Sequence, residues 1–180
     1  LGAIYQEEAN YDSAIYCFRN CVEYAEKAKI IVNQAWGYSG LGDAYQRKGM
    51  YAEAKKNLLK SLEIDEQLGN TGGMMQSYIA LGSLDKQMGN LSSAERYYLR
   101  AESMPDLQGD LISQRNLYQE LVKLYEATGD VSKAYTSYKK HVAALDSIKN
   151  SEDLATIKEL NEKPAMILEN KMENVIRRVN

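Results

Sequence analysis

The 180 residues include one histidine and two cysteines, and that scarcity sets the first limits on chemistry. Histidine supplies most proton transfer and metal ligation near neutral pH, and no cysteine lies near His141 in sequence. Cys17 and Cys21 are four apart on one expected helix. A zinc site needs two more ligands, and two cysteines in one turn make no disulfide framework; they read as free thiols. The glycines of "GNTGG" at 69–73 lack a preceding strand and a following Lys-Ser/Thr, so they do not form a phosphate loop. No apolar run approaches the ~20 residues needed to cross a bilayer. A basic stripe able to neutralise phosphates is also missing, since the net charge of -3 is spread over interspersed acids and bases. Neither nucleic acid nor membrane is an expected partner of this segment. With no catalytic constellation, metal cluster or cofactor motif, a non-enzymatic role is expected. No secretory leader is visible, but "LGAIYQ" reads as the interior of a helix, so the protein is expected to extend before Leu1.

Only two prolines interrupt a chain rich in Ala, Leu, Glu, Lys and Gln, which favours helix. Fourteen tyrosines against one Phe and one Trp need explaining, and their positions explain them. The windows "LGAIYQEEANYDSAIYCF" from Leu1, "LGDAYQRKGMYAEAKKNL" from Leu41, "LGSLDKQMGNLSSAERYY" from Leu81 and "LVKLYEATGDVSKAYTSY" from Leu121 superimpose without a gap at a spacing of 40. A repeat of this length points to a solenoid. Gly2, Gly42 and Gly82 let two helices approach closely, and Gly49, Gly89 and Gly129 end a helix. Asn90 and Asp130 follow as candidate N-caps. Ala14, Ala54, Ala94 and Ala134 provide a small residue one turn before Phe18, Leu58, Tyr98 and Tyr138. Tyr38, Tyr78 and Tyr118 precede the shared Leu by three. Tyr5, Tyr45 and Tyr125 follow it by four, in a column that Asp85 breaks. Most tyrosines are therefore repeat scaffolding.

The combination "YSGLGDAY…AKKNL" resembles the tetratricopeptide repeat, with an aromatic, Leu-Gly and Tyr on one helix before Ala-x3-aromatic on the next. The resemblance implies an all-α, right-handed α-α superhelix over residues 1–148, about 3.5 repeats with the first truncated. The period is 40 against the usual ~34, similar to the long repeats of kinesin light chains. Glu26, Glu66, Asp106 and Asp146 stand where the family usually has Pro. Helices are expected at about 11–28, 33–48, 52–68, 72–88, 92–104, 111–128 and 132–148. The turn before the second repeat has no Gly, Pro or Asp, and Ile30 and Ile31 within it are expected to pack.

By the same resemblance, the first helices of successive repeats form a concave groove for a protein or peptide partner. The expected wall is Trp36, Ser39, Asp43, Gln46 and Arg47, then Gln76, Ile79, Ser83, Lys86 and Gln87, then Asn116, Gln119, Lys123 and Glu126. Some family members grip a C-terminal carboxylate with Lys and Asn at positions that here hold Trp36, Ser39, Gly40 and Asp43, so that clamp is not expected. Trp36 is the candidate anchor, because large rigid rings often dominate binding energy; its alternative role is packing against the half-missing first helix of repeat one. Asp43 and Arg47, one turn apart, are expected to pair.

After residue 148 the pattern changes. His141, in the column of Cys21, Ser61 and Ala101, is expected to face the following helix, satisfied by a backbone carbonyl. "NSED" from Asn150 reads as a cap opening a helix with Leu154, Ile157 and Leu160. Pro164 interrupts it, and Leu168, Met172, Val175, Ile176 and Val179 form the apolar stripe of a second amphipathic helix. Residues 149–180 thus read as a capping helix and kinked linker, the latter able to self-associate or fold back. "YKKHVAALDSI…IKELNEK" resembles the end of the repeat region in bacterial sensor kinases and helix-turn-helix regulators, through Tyr138, Lys139, Leu145, Asp146, Ser147, Ile148, Ile157, Glu159, Leu160 and Lys163. That resemblance implies the sensing region of a larger signalling protein, extracytoplasmic if of the kinase type and cytoplasmic otherwise. A free-standing scaffold is the alternative.

Overall fold

The computed structural model describes residues 10–151, which form helices and short turns with no strand among them. The elements are α1 (Tyr11–Lys27), α2 (Ile31–Arg47), α3 (Tyr51–Leu68), α4 (Thr71–Gln87) and α5 (Leu91–Glu102). A 3-10 turn (Pro105–Gly109) leads into α6 (Leu111–Thr128), and α7 occupies residues 131–151. Each element packs on the next, so α2/α3, α4/α5 and α6/α7 are the antiparallel pairs of repeats two to four, and α1 is the second helix of repeat one.

Gly49, Gly89 and Gly129 end their helices at φ of +81°, +80° and +77°, as the repeat columns require. The turn between α1 and α2 uses Lys29 at φ +56°, where Gly69 takes +65° in the next repeat. A side chain in the left-handed region costs about 1–2 kcal/mol. Lys29→Gly is therefore expected to stabilise the protein by about 1 kcal/mol, seen as a higher urea midpoint with unchanged slope. Ile30 and Ile31, expected to pack, are each 47% exposed. Because α2 begins two residues early, Ile31 lies in a helix's first turn rather than in a buried connection. Asp130 caps α7 through Oδ1, which accepts from Lys133 N at 3.0 Å. Asn90 makes no side-chain cap; it turns to Asp85 instead.

Ala14, Ala54 and Ala94 are fully buried, as are Leu58 and Tyr98, with Phe18 nearly so. The glycine notch is visible directly: a Cβ on Gly42 would stand 2.5 Å from Leu58 Cγ, and one on Gly82 2.5 Å from Tyr98 Cε1. Repeat four has Val122 at that position, and Tyr138, the counterpart of Tyr98, is 53% exposed.

Polar pairs join the repeats. Tyr38 OH donates to Glu26 Oε1 (2.9 Å) and Tyr78 OH to Glu66 Oε1 (3.4 Å), so the acids in the family's proline column hold the next repeat's tyrosine. Asp106 lies in the 3-10 turn, and Glu102 serves Tyr118 instead. Lys60, Arg100 and Lys140 cover the rings of the same three tyrosines at 4.7, 5.7 and 5.2 Å. Asp85, the break in its tyrosine column, is fully buried and accepts from Lys55 Nζ (2.7 Å) and Ser93 Oγ (2.6 Å). One repeat later the same two columns hold Glu95 and Tyr125, joined at 3.0 Å. Sign and size have changed together on both helices.

His141 does meet a backbone carbonyl, its Nδ1 lying 2.9 Å from Arg115 O. That carbonyl belongs to α6 of the same repeat, not to a following helix. Ser61 makes the equivalent bond to Ala35 O at 2.9 Å. The column thus ties the two helices of one repeat together. The expected cap at Asn150 is not formed, since α7 continues through residues 148–151. Leu154, Ile157, Leu160, Pro164 and the stripe from Leu168 to Val179 lie outside the described residues.

Candidate functional site

The first helices α2, α4 and α6 line one groove of about 570 Å³. From α2 come Asp43, Gln46 and Arg47; from α4 Gln76, Ile79, Ala80, Ser83 and Gln87; from α6 Asn116 and Glu120. Eight of the residues expected on the wall meet here. Ala80 and Glu120 were not expected. They occupy the column after Ile79 and Gln119, one residue and about 100° further round a helix of 3.6 residues per turn. The signal for Glu120 is Lys86, whose ammonium bonds its Oε2 from α4.

The remaining wall residues stand elsewhere. Lys86 and Lys123 flank Glu120, with Lys123 Nζ 2.8 Å from its Oε1. Ser39 is half-buried and Gln119 exposed, both off the groove lining. Glu126 lies in a separate cleft between α6 and α7. Trp36 shares a repeat column with Gln76 and Asn116, but its ring meets Phe18 of α1 edge-on at 5.3 Å and it is 58% exposed. It borders a surface hollow with Tyr16, Cys17, Cys21 and Tyr24 rather than the groove.

Each charge lining the groove is paired. Arg47 Nε lies 3.0 Å from Asp43 Oδ2. Burial pushes the Glu120 carboxyl up, but hydrogen bonds from Lys123 and Lys86 and their positive charges outweigh it and hold the group below its ordinary range. Tyr98 OH adds a contact to Glu120 at 3.3 Å, and burial with the nearby carboxylate raises the phenol well above its usual pKa. Gln46 Nε2 donates to Ser83 Oγ (3.3 Å) and Gln76 Nε2 to Ser113 Oγ (2.6 Å), bridging adjacent first helices. Among the described residues, no three His, Cys, Asp or Glu side chains stand close enough to hold a metal ion. Nor is any described helix long and apolar enough to cross a membrane.

Residues 33–105 match the family model described as tetratricopeptide repeat. The crystal structure of BtubC (BKLC) from P. vanneervenii aligns over 82% of this chain with TM-score 0.72 at 23% identity. The fold is a tetratricopeptide-repeat solenoid. The apo form of RapI also aligns, over 83% of the chain with TM-score 0.55 at 15% identity. The chain covers 60% of the BtubC chain and 51% of the RapI chain. No curated protein matches it. In tetratricopeptide terms, the groove is the wall of first helices, and repeats of this kind are protein-interaction modules.

Proposed function

We propose that this solenoid is a non-catalytic module that binds a protein or peptide segment in the groove of α2, α4 and α6. The observation that carries the reading is the groove's chemistry. Each of its charges is paired, while Gln46, Gln76, Gln87 and Asn116 line it beside Ile79, Gln46 and Gln76 also donating to Ser83 and Ser113 and Asn116 also accepting from Arg115. A carboxamide offers a donor and an acceptor together, which matches the amides of a peptide backbone and needs no charged partner. The test is selection of binders from a random peptide library displayed on phage. Two lost hydrogen bonds at about 0.5–1.5 kcal/mol each predict that Gln76→Ala/Asn116→Ala weakens selected peptides about 5–150-fold. Affinity should change little between low and high salt. Selected peptides that bind the double variant equally well would remove the groove as the site.

The module is further proposed to be the sensing or interaction region of a larger bacterial signalling or regulatory protein, extracytoplasmic in the kinase-type case. The segment from Tyr138 to Lys163 supports this through its resemblance to such proteins. A scaffold that assembles complexes is the second reading. The complete reading frame separates them, because only the first requires an output domain or membrane span after Asn180.

A further inference from the structure

Two seams between second helices are equivalent at a spacing of 40, and they differ in how they balance charge. Between α5 and α7, Lys133 Nζ lies 2.9 Å from Glu95 Oε1, and Lys140 Nζ lies 2.6 Å from Glu102 Oε1. One repeat earlier, between α3 and α5, the two carboxylate positions hold Lys55 and Leu62. On the other side of that seam, Arg100 stands in the column of Lys140, and Arg96 in that of Thr136. Lys55 is already committed to Asp85, and Glu66 of α3 takes the Tyr78 hydroxyl. Arg100 covers the Tyr78 ring at 5.7 Å, and Tyr97 stacks on the same ring at 6.3 Å. The Arg96 side chain makes no hydrogen bond, ion pair or ring contact among the described residues, and no described carboxylate pairs with Arg100. Arg96, Tyr97, Leu99 and Arg100 line one hollow, on a second helix rather than on the first helices that form the groove.

We propose that Arg96, Arg100 and Tyr97 form a second binding site, which takes one phosphorylated side chain of a partner protein. Arg96 and Arg100 stand one helical turn apart, with Cβ atoms about 5–6 Å from each other. Two guanidinium forks at that spacing close on one tetrahedral oxyanion, each supplying parallel N–H donors. The Tyr97 hydroxyl has no described partner and adds a third donor. Stacking on Tyr78 holds the Tyr97 ring, and the same ring lies under Arg100, which lowers the entropy lost on binding. Leu99, 44% exposed, offers an apolar contact to residues flanking the phosphate, which a free ion does not use. Two arginines serve one phosphate, not the row that a nucleic acid presents. An anionic bilayer would lie equally against the α5/α7 seam, where the charges are already neutralised, on a chain of net charge -3. The site is independent of the groove and does not rest on the reading of it.

The probe is a degenerate peptide library with one fixed phosphorylated Ser, Thr or Tyr between random flanks. It is passed over the immobilised full chain beside the same library carrying Ser or Glu at the fixed position. Only the phosphorylated library is expected to be retained, and less of it as salt is raised. Arg96→Ala should weaken the recovered phosphopeptides about tenfold or more, the effect of losing a hydrogen bond to a charged group. Because Arg96 has no described contact to lose, this variant should keep the wild-type circular dichroism and unfolding midpoint. Arg96→Ala/Arg100→Ala should abolish retention, whereas Gln76→Ala/Asn116→Ala should leave it unchanged, which separates this site from the groove. Phosphopeptides that bind Arg96→Ala/Arg100→Ala as they bind the wild type would overturn the proposal. Equal retention of the Glu library would overturn it too, since acidity alone would then suffice. Displacement by equimolar inorganic phosphate would do the same, making the ligand a free ion. So would Arg96-dependent pelleting with phosphatidylserine vesicles in place of phosphopeptide retention.

Discussion

Replacing Lys55 with alanine is expected to cost about 3–5 kcal/mol, the range for a buried charge that loses its partner. Asp85 is fully buried, and Lys55 is the one cation that bonds it among the described residues. The reciprocal change, Asp85→Ala, should cost less. Lys55 is one-third exposed and can turn its ammonium to water, whereas Asp85 cannot follow. pH separates this account from a mere loss of packing. Burial pushes Asp85 up, but hydrogen bonds from Lys55, Ser93 and Asn90 and the Lys55 charge outweigh it, leaving the carboxyl below its ordinary 3.8. A carboxyl whose folded pKa is depressed contributes stability above its unfolded value, lost as pH falls through the folded one. Without Lys55, burial is opposed only by Ser93 and Asn90, and the folded pKa rises. Native Lys55→Ala then holds a proton that the unfolded chain has released, so its deficit relative to wild type should shrink on acidification from neutral pH. Urea unfolding at pH 7 and pH 5 measures this, and a deficit independent of pH would refute it. The pair Lys55→Glu/Asp85→Tyr copies Glu95 and Tyr125 and should recover most of the loss.

Gly82→Val should be comparably damaging. A Cβ there would stand 2.5–2.6 Å from the Tyr98 ring, a rigid group with no exposed surface. If Tyr98 is expelled, the loss approaches that of deleting a large buried ring, about 3–5 kcal/mol. The Tyr98 contact to Glu120 would go with it, loosening the groove wall. Since both residues act through one contact, Gly82→Val/Tyr98→Ala should cost far less than the sum of the singles. Equilibrium unfolding of the three variants provides the test, and strict additivity would show that the notch is not their shared cause.

The architecture was legible because each repeat solves one packing problem with the same few residues. Leu and Gly on one helix, Ala and a large side chain on the next, and Gly at the turn recur every 40 positions, which is enough to set helix order and, except at the end of α7, helix bounds to within two residues. The groove was only partly legible. A stripe carried from α2 to α6 by column number drifts, because a one-residue error rotates the face by about 100°; Gln119 was expected where Glu120 stands. Trp36 reads from sequence as either an anchor or a packing residue, and a column number does not show that its ring meets Phe18 edge-on.

By itself the sequence determined the all-helical class, the repeat unit and the interruptions worth explaining: Asp85, the acids in the proline column and His141. Only the tertiary structure decided what each interruption meets. Asp85 is answered by Lys55 thirty residues away, Glu26 and Glu66 by tyrosines of the next repeat, and His141 by a carbonyl of its own repeat rather than the one ahead. The physical reason is that periodicity reports which face of a helix is buried, whereas a hydrogen bond or a ring contact depends on the distance and rotation between two helices, which no single column contains.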